Sequence, residues 1–218
     1  MKRLKTKMLG VLIVLLIQAC GSSDNGIMPT TGGTPVDPTD IAYSTLFIGN
    51  SLTYTNDIPG LLEDVATAQG FTMTASSVAF GGYGLEDHWN EGTIQTLIES
   101  REYDFVVIQQ GPSSQADGRA SLIEYGGKIA TLCQANGVKL VYYMVWPSLT
   151  YYKTFDGVTA NYTEAAAMSN SRLAPVGSFW KAHFDATNDF SYYGPDGFHP
   201  SLEGSTVAAE VIFESLGL

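Results

Sequence analysis

The chain has 218 residues, 44% of them hydrophobic, 11% aromatic and 15% charged, with 11 Lys and Arg against 22 Asp and Glu and a formal charge of −11. That length suits one globular domain, and the apolar content excludes a disordered chain. The acidic balance excludes a nucleic-acid partner, because a phosphate backbone demands a basic face.

Residues 1–7 form a basic stretch carrying Lys2, Arg3, Lys5 and Lys7, and residues 8–17 form an apolar run. Such a run suits the core of a signal peptide and falls short of the about 20 residues that a membrane-spanning helix needs. The segment closes with Leu16-Ile17-Gln18-Ala19-Cys20-Gly21, which resembles the lipobox of bacterial lipoproteins. That resemblance implies a signal peptide over 1–19, cleavage before Cys20, and a lipid anchor to a membrane on the extracytoplasmic side of a bacterial envelope. The alternative is an ordinary secretory signal with a chance cysteine. Residues 21–40 are rich in Gly, Ser, Thr and Pro. They cannot bury enough apolar area to offset their ordering entropy, so 20–40 is expected to be a flexible tether ahead of a folded domain over 41–218.

The first strand is predicted over 43–49, running into Gly49-Asn50-Ser51-Leu52-Thr53. A Ser just past a strand is where a nucleophile can sit, although Gly, Asn and Ser also make ordinary turns. Thr53 departs from the Gly-x-Ser-x-Gly elbow. A helix over 58–69 follows, with apolar residues at helical spacing and Gly70 as its stop, then a strand over 71–79. The Gly-rich Ala79-Phe80-Gly81-Gly82-Tyr83-Gly84-Leu85 leads into two short helical patches, 85–90 and 93–100. Glu86-Asp87-His88 reads as a solvated helix face, since consecutive helical residues point in different directions.

The clearest strand covers 103–109, and it ends in Gln109-Gln110-Gly111-Pro112-Ser113-Ser114. A helix over 121–136 is closed by Gly137 and carries Cys133 as a buried thiol. A buried strand over 138–146 stops at Pro147, and 148–160 is expected to be a long loop. Trp146, Tyr151, Tyr152, Phe155 and Tyr162 cluster in or near it; they either stack on a ligand ring or cover the sheet. A helix is predicted over 162–173, a short fifth strand over 175–177, and a helix over 179–186 with His183 structural. Asp196-Gly197-Phe198-His199-Pro200 precedes the last helix, 201–216, which Ser201 can cap.

Strands apolar on both faces and separated by helices predict an α/β fold, a three-layer α/β/α sandwich around a mainly parallel sheet of about five strands. Ligands in such sheets bind beyond the carboxyl ends of the strands. A hydroxyl nucleophile there needs a base, and the base needs a carboxylate to hold its tautomer; an Asp three residues before a His can supply that contact locally. No zinc-type His or Cys spacing, EF-hand, P-loop or dinucleotide fingerprint appears, so neither a metal nor a cofactor is expected.

Together, Gly49-Asn50-Ser51 after the first strand and Asp196-Gly197-Phe198-His199-Pro200 before the last helix resemble the SGNH (GDSL-type) hydrolase superfamily over roughly residues 43–218. The resemblance implies a flavodoxin-like fold with Ser51 as nucleophile, His199 as base and then acid, and Asp196 as its orienting carboxylate. It also implies an oxyanion hole from the N–H groups of Ser51 and Gly82, with Gly81 one step away. The usual Gly-x-Asn-Asp block is missing. Gln110-Gly111-Pro112-Ser113 is instead similar to the Gln-Gly-Glu-Ser stretch of the sialate and xylan acetylesterase branch, which implies the Gln110 amide as third donor; Gln109, Ser113 and Ser114 compete for that role. The implied activity is hydrolysis of an ester, with an O-acetylated carbohydrate as the leading substrate. A lysophospholipase or thioesterase, or an inactive glycan-binding module, are the alternatives.

Overall fold

The computed structural model describes residues 42–218; the expected signal peptide, Cys20 and tether lie outside the described residues. Five strands, β1 (Ala42–Gly49), β2 (Thr72–Ala79), β3 (Phe105–Ile108), β4 (Lys139–Tyr143) and β5 (Arg172–Ala174), form one parallel sheet in the order β2-β1-β3-β4-β5. The chain steps from β1 outward to β2, then reverses to build β3, β4 and β5 on the other side. With right-handed crossovers, that reversal puts the first helical connection on one face of the sheet and the next three on the other. The expected α/β sandwich is what is found.

The helices are α1 (Ser51–Tyr54), α2 (Ile58–Ala68), α3 (Leu85–Glu91), α4 (Thr93–Glu99), α5 (Ala116–Asn136), α6 (Phe155–Met168), α7 (Val176–Thr187) and α8 (Leu202–Leu216). On one face α2 packs on α8; on the other α5 packs on α3, α4 and α6. The central strands are sealed between these layers, as Phe47, Ile48, Val106, Val107, Val141 and Tyr142 are fully buried. Each such side chain stabilises the fold by about 1.5–3 kcal/mol. Edge strand β2 buries only Met73 among its eight residues, which accounts for its loose alternation. Among the described residues, no helix is long and apolar enough to cross a membrane.

Several sequence expectations need correction. The four-residue α1 opens at Ser51 itself, and α5 starts five residues earlier than its apolar stripe. The loop expected over 148–160 is a 3-10 turn, Leu149–Thr154, followed by α6. In α6 a stripe of Phe155, Val158, Tyr162 and Ala165 is buried at helical spacing, interrupted in sequence by Gly157 and Asn161. The fifth strand lies three residues earlier, and Val176 and Gly177 begin α7 instead. Gly177 still touches the sheet: its N–H donates to Met144 O (3.0 Å), and a Cβ there would sit 2.4 Å from Val145 O.

The aromatic cluster divides. Trp146, Phe155 and Tyr162 are core residues, Tyr152 is half-buried, and Tyr151 stands 66% exposed. Trp146 stacks on Trp180 with ring centroids 3.5 Å apart. Cys133 is buried as expected, and burial pushes its thiol up to about 12, so it is an inert packing group.

Candidate active site

Strands β1, β2 and β3 end together at the point where strand order reverses, and the polar residues just past them build a crevice. At β1 the chain turns sharply from Gly49 into α1. Asn50 caps that helix, its Oδ1 accepting from Leu52 N–H at 3.1 Å, and its Nδ2 donates to Tyr83 O at 2.9 Å. Gln109 supports the turn from beneath: its Oε1 accepts from Asn50 N–H and from the Thr53 hydroxyl, both at 2.9 Å. The packing is tight enough that a Cβ on Gly49 would lie 2.3 Å from Thr53 Oγ1 and 2.6 Å from Gln109 Oε1. Only glycine fits there.

The Gly49 carbonyl accepts from Phe80 N–H at 3.2 Å and from the His88 ring at 2.8 Å, in the tautomer protonated at Nε2. His88 is therefore not on a solvated face, as its sequence neighbours suggest; it is 1% exposed, packed against Phe80 and Tyr83. Burial holds its basicity down, partly offset by the Gly49 carbonyl, Glu91 and Asp87.

On the other wall, the turn before α8 is closed by its own first residue. Asp196 Oδ1 accepts from the N–H groups of Phe198 and His199, each at 2.9 Å, while Gly197 takes a φ of +66° that favours glycine. Asp196 Oδ2 lies 2.6 Å from His199 Nδ1, and His199 Nε2 lies 2.9 Å from Ser51 Oγ. The His199 ring, then the two backbone N–H groups, hold the Asp196 carboxyl below the usual range. Asn56 ties the two walls, its Nδ2 donating to Pro200 O at 3.0 Å. The order Asp196–His199–Ser51 is one in which the imidazole can take the hydroxyl proton while the carboxylate faces the charge that develops on the ring.

The cleft above Ser51, ≈520 Å³, is bordered by Gly82, Gln110 and His199. Gly82 has a φ of +81°, and neither its N–H nor that of Ser51 has an acceptor among the described residues. The Gln110 side chain is largely buried; its Nε2 donates to Gly118 O at 3.3 Å and its Oε1 accepts from Leu85 N–H at 3.4 Å. Both bonds are long, and the amide nitrogen has a second hydrogen.

No family model and no curated protein matches the sequence. Among solved structures, one from Slackia heliotrinireducens described as an SGNH hydrolase is 30% identical, with a TM-score of 0.66, covering 81% of this chain and 100% of its own. The chain belongs to the SGNH hydrolases. Two more distant likenesses share the fold of this SGNH hydrolase. A DUF4886 family protein from Bacteroides uniformis has a TM-score of 0.69 at 19% identity, covering 81% of this chain and 83% of its own. An acetyl xylan esterase has 0.64 at 14%, covering 79% and 99%.

Of the residues singled out in sequence, Ser51, Gly82, Gln110, Asp196 and His199 meet at this SGNH cleft. Gln109 points the other way, under the β1 turn, and Ser113 and Ser114 line a neighbouring cleft. Sequence reasoning missed the supports: Gln109 beneath Asn50, and His88 on the Gly49 carbonyl. Both bonds join residues far apart in the chain, and neither leaves a local pattern to read.

Proposed function

We propose that this SGNH hydrolase is a serine esterase acting through Ser51, His199 and Asp196, with an O-acetylated carbohydrate as substrate. The observation that carries the reading is the unbroken Asp196–His199–Ser51 relay, 2.6 Å and 2.9 Å long, at the mouth of a cleft. Ser51 Oγ attacks the ester carbonyl as His199 Nε2 takes its proton. The N–H groups of Ser51 and Gly82 and the Gln110 amide hold the oxyanion. His199 then hands the proton to the departing alcohol, and the acyl-enzyme is cleared by a water that His199 activates. Asp196 fixes the Nδ1-protonated tautomer and balances the imidazolium. The carbohydrate part of the reading draws on the Gln110-Gly111-Pro112-Ser113 stretch and on the acetyl xylan esterase of like fold.

The test is Ser51→Ala. It should abolish fluorophosphonate labelling and lower hydrolysis of a short-chain aryl ester by roughly 10⁶. Unchanged turnover in a folded Ser51→Ala variant would sink the assignment. We further propose that the protein is a lipid-anchored envelope protein, on the strength of Ala19-Cys20 after the basic and apolar segments. Mass spectrometry of the mature chain should find an acylated Cys20 at its N-terminus, and Cys20→Ser should prevent that lipidation.

A further inference from the structure

A second cleft, ≈440 Å³, adjoins the one above Ser51; Pro112 and Phe198 line both. Its own walls are Ser113, Ser114, Gln115, Pro147, Ser148, Tyr151 and Thr154. The geometry points to this cleft as the subsite for the sugar that carries the ester, a conclusion that rests on the esterase reading of Ser51. Its position comes from the chemistry of the second half of acylation: His199 must deliver its proton to the departing oxygen, so the alcohol leaves on the side of His199. Phe198, the residue that precedes His199, lines the second cleft as well as the first, which ties the second cleft to that side. The acyl group is left toward Gly82 and Gln110.

The wall chemistry suits a sugar. Pro112, Pro147 and Phe198 line the cleft beside the hydroxyl-bearing Ser113, Ser114, Ser148 and Thr154, a mixture that matches the apolar and hydroxylated faces of a pyranose, and Tyr151, 66% exposed, offers a ring face for its apolar side. The Ser148 hydroxyl makes no hydrogen bond among the described residues, unlike that of Thr154, which donates to Tyr151 O at 2.8 Å. The wall is also held in register with His199. Leu149 N–H donates to Gly197 O at 2.7 Å, Trp146 Nε1 donates to Phe198 O at 3.0 Å, and Tyr193 donates to Pro147 O at 2.7 Å. A sugar seated on Tyr151 is thereby placed relative to the base and not merely near it.

The experiment compares kcat/KM for an O-acetylated xylo-oligosaccharide with kcat/KM for p-nitrophenyl acetate, whose flat leaving group carries no sugar hydroxyls. Tyr151→Ala, at an exposed position, should lower the ratio of the first to the second by roughly tenfold, mostly through KM. Ser148→Phe, which fills the cleft, should lower it further. A ratio that stays within twofold of wild type in both variants overturns the subsite, as does an equal fall for both substrates. If aryl acetate hydrolysis survives Ser51→Ala, the esterase reading itself fails; if it depends on Ser51 while the ratio stays put, only the subsite fails.

Discussion

The turn that carries Ser51 is held from outside itself: Gln109 arrives from the end of β3, Tyr83 from the loop after β2, and His88 from α3, and every contact is buried or nearly so. The turn that carries His199 sets its side-chain geometry locally, because Asp196 accepts from two N–H groups and the imidazole within three residues, half in solvent, while Leu149, Trp146 and Asn56 bond only its backbone carbonyls from outside. The nucleophile's wall is fixed by side chains from distant elements, and the base is aimed by a carboxylate from its own local sequence. The lesson is that damage should read out differently on the two walls: removing a support of Ser51 costs stability and activity together, whereas changing Asp196 costs activity with little loss of fold.

The sharpest test of that contrast is Asp196→Asn. It should lower kcat by about 10⁴, through the wrong imidazole tautomer, while the urea midpoint moves little. Equal loss of stability would break the comparison. Next, Gln110→Ala should lower kcat by roughly 10²–10³ with KM nearly unchanged, because the hydrogen bond it would give tightens in the transition state. If the loss stays within a few-fold, the oxyanion rests on backbone N–H groups alone.

Smaller again, Gln109→Leu should destabilise by about 1–3 kcal/mol, leaving Asn50 N–H and the Thr53 hydroxyl buried without their acceptor. Urea unfolding measures the first part; a parallel fall in kcat checks that the Ser51 turn has loosened. The smallest effect concerns pH. Burial depresses the His88 basicity in the folded protein, so its contribution is complete above the unfolded value of about 6.5 and is lost as pH falls through the lower folded one. Unfolding free energy should therefore decline on acidification from pH 7 to 5, and His88→Gln should flatten that decline.

The same division explains what could be read in advance. Asp196-Gly197-Phe198-His199 was legible because its whole geometry is local: a carboxylate, a glycine that permits a positive φ and an imidazole at the right interval. The strands β1, β3 and β4 were legible because both their faces are buried, leaving unbroken apolar runs. The roles of Gln109 and Gln110 were not. Two identical side chains in sequence face opposite sides of the β3 end, and only the positions of Asn50 and Gly118 decide which serves the turn and which the cleft. Helix α6 was misplaced because Gly157 and Asn161 interrupt its stripe, and β5, three residues long, was too brief to show a period.

The stacked indoles of Trp146 and Trp180 lie beneath all this, and the Trp146 N–H is bonded to the Phe198 carbonyl next to His199. An indole whose N–H bond is altered changes its emission, and two of the three tryptophans in the chain belong to this pair. The protein thus carries its own optical reporter on the base-bearing wall. Filling of the cleft lined by Phe198 and Tyr151, or loosening of the Asp196 turn, can be followed by intrinsic fluorescence without a label, with Trp89 on α3 the remaining emitter to subtract.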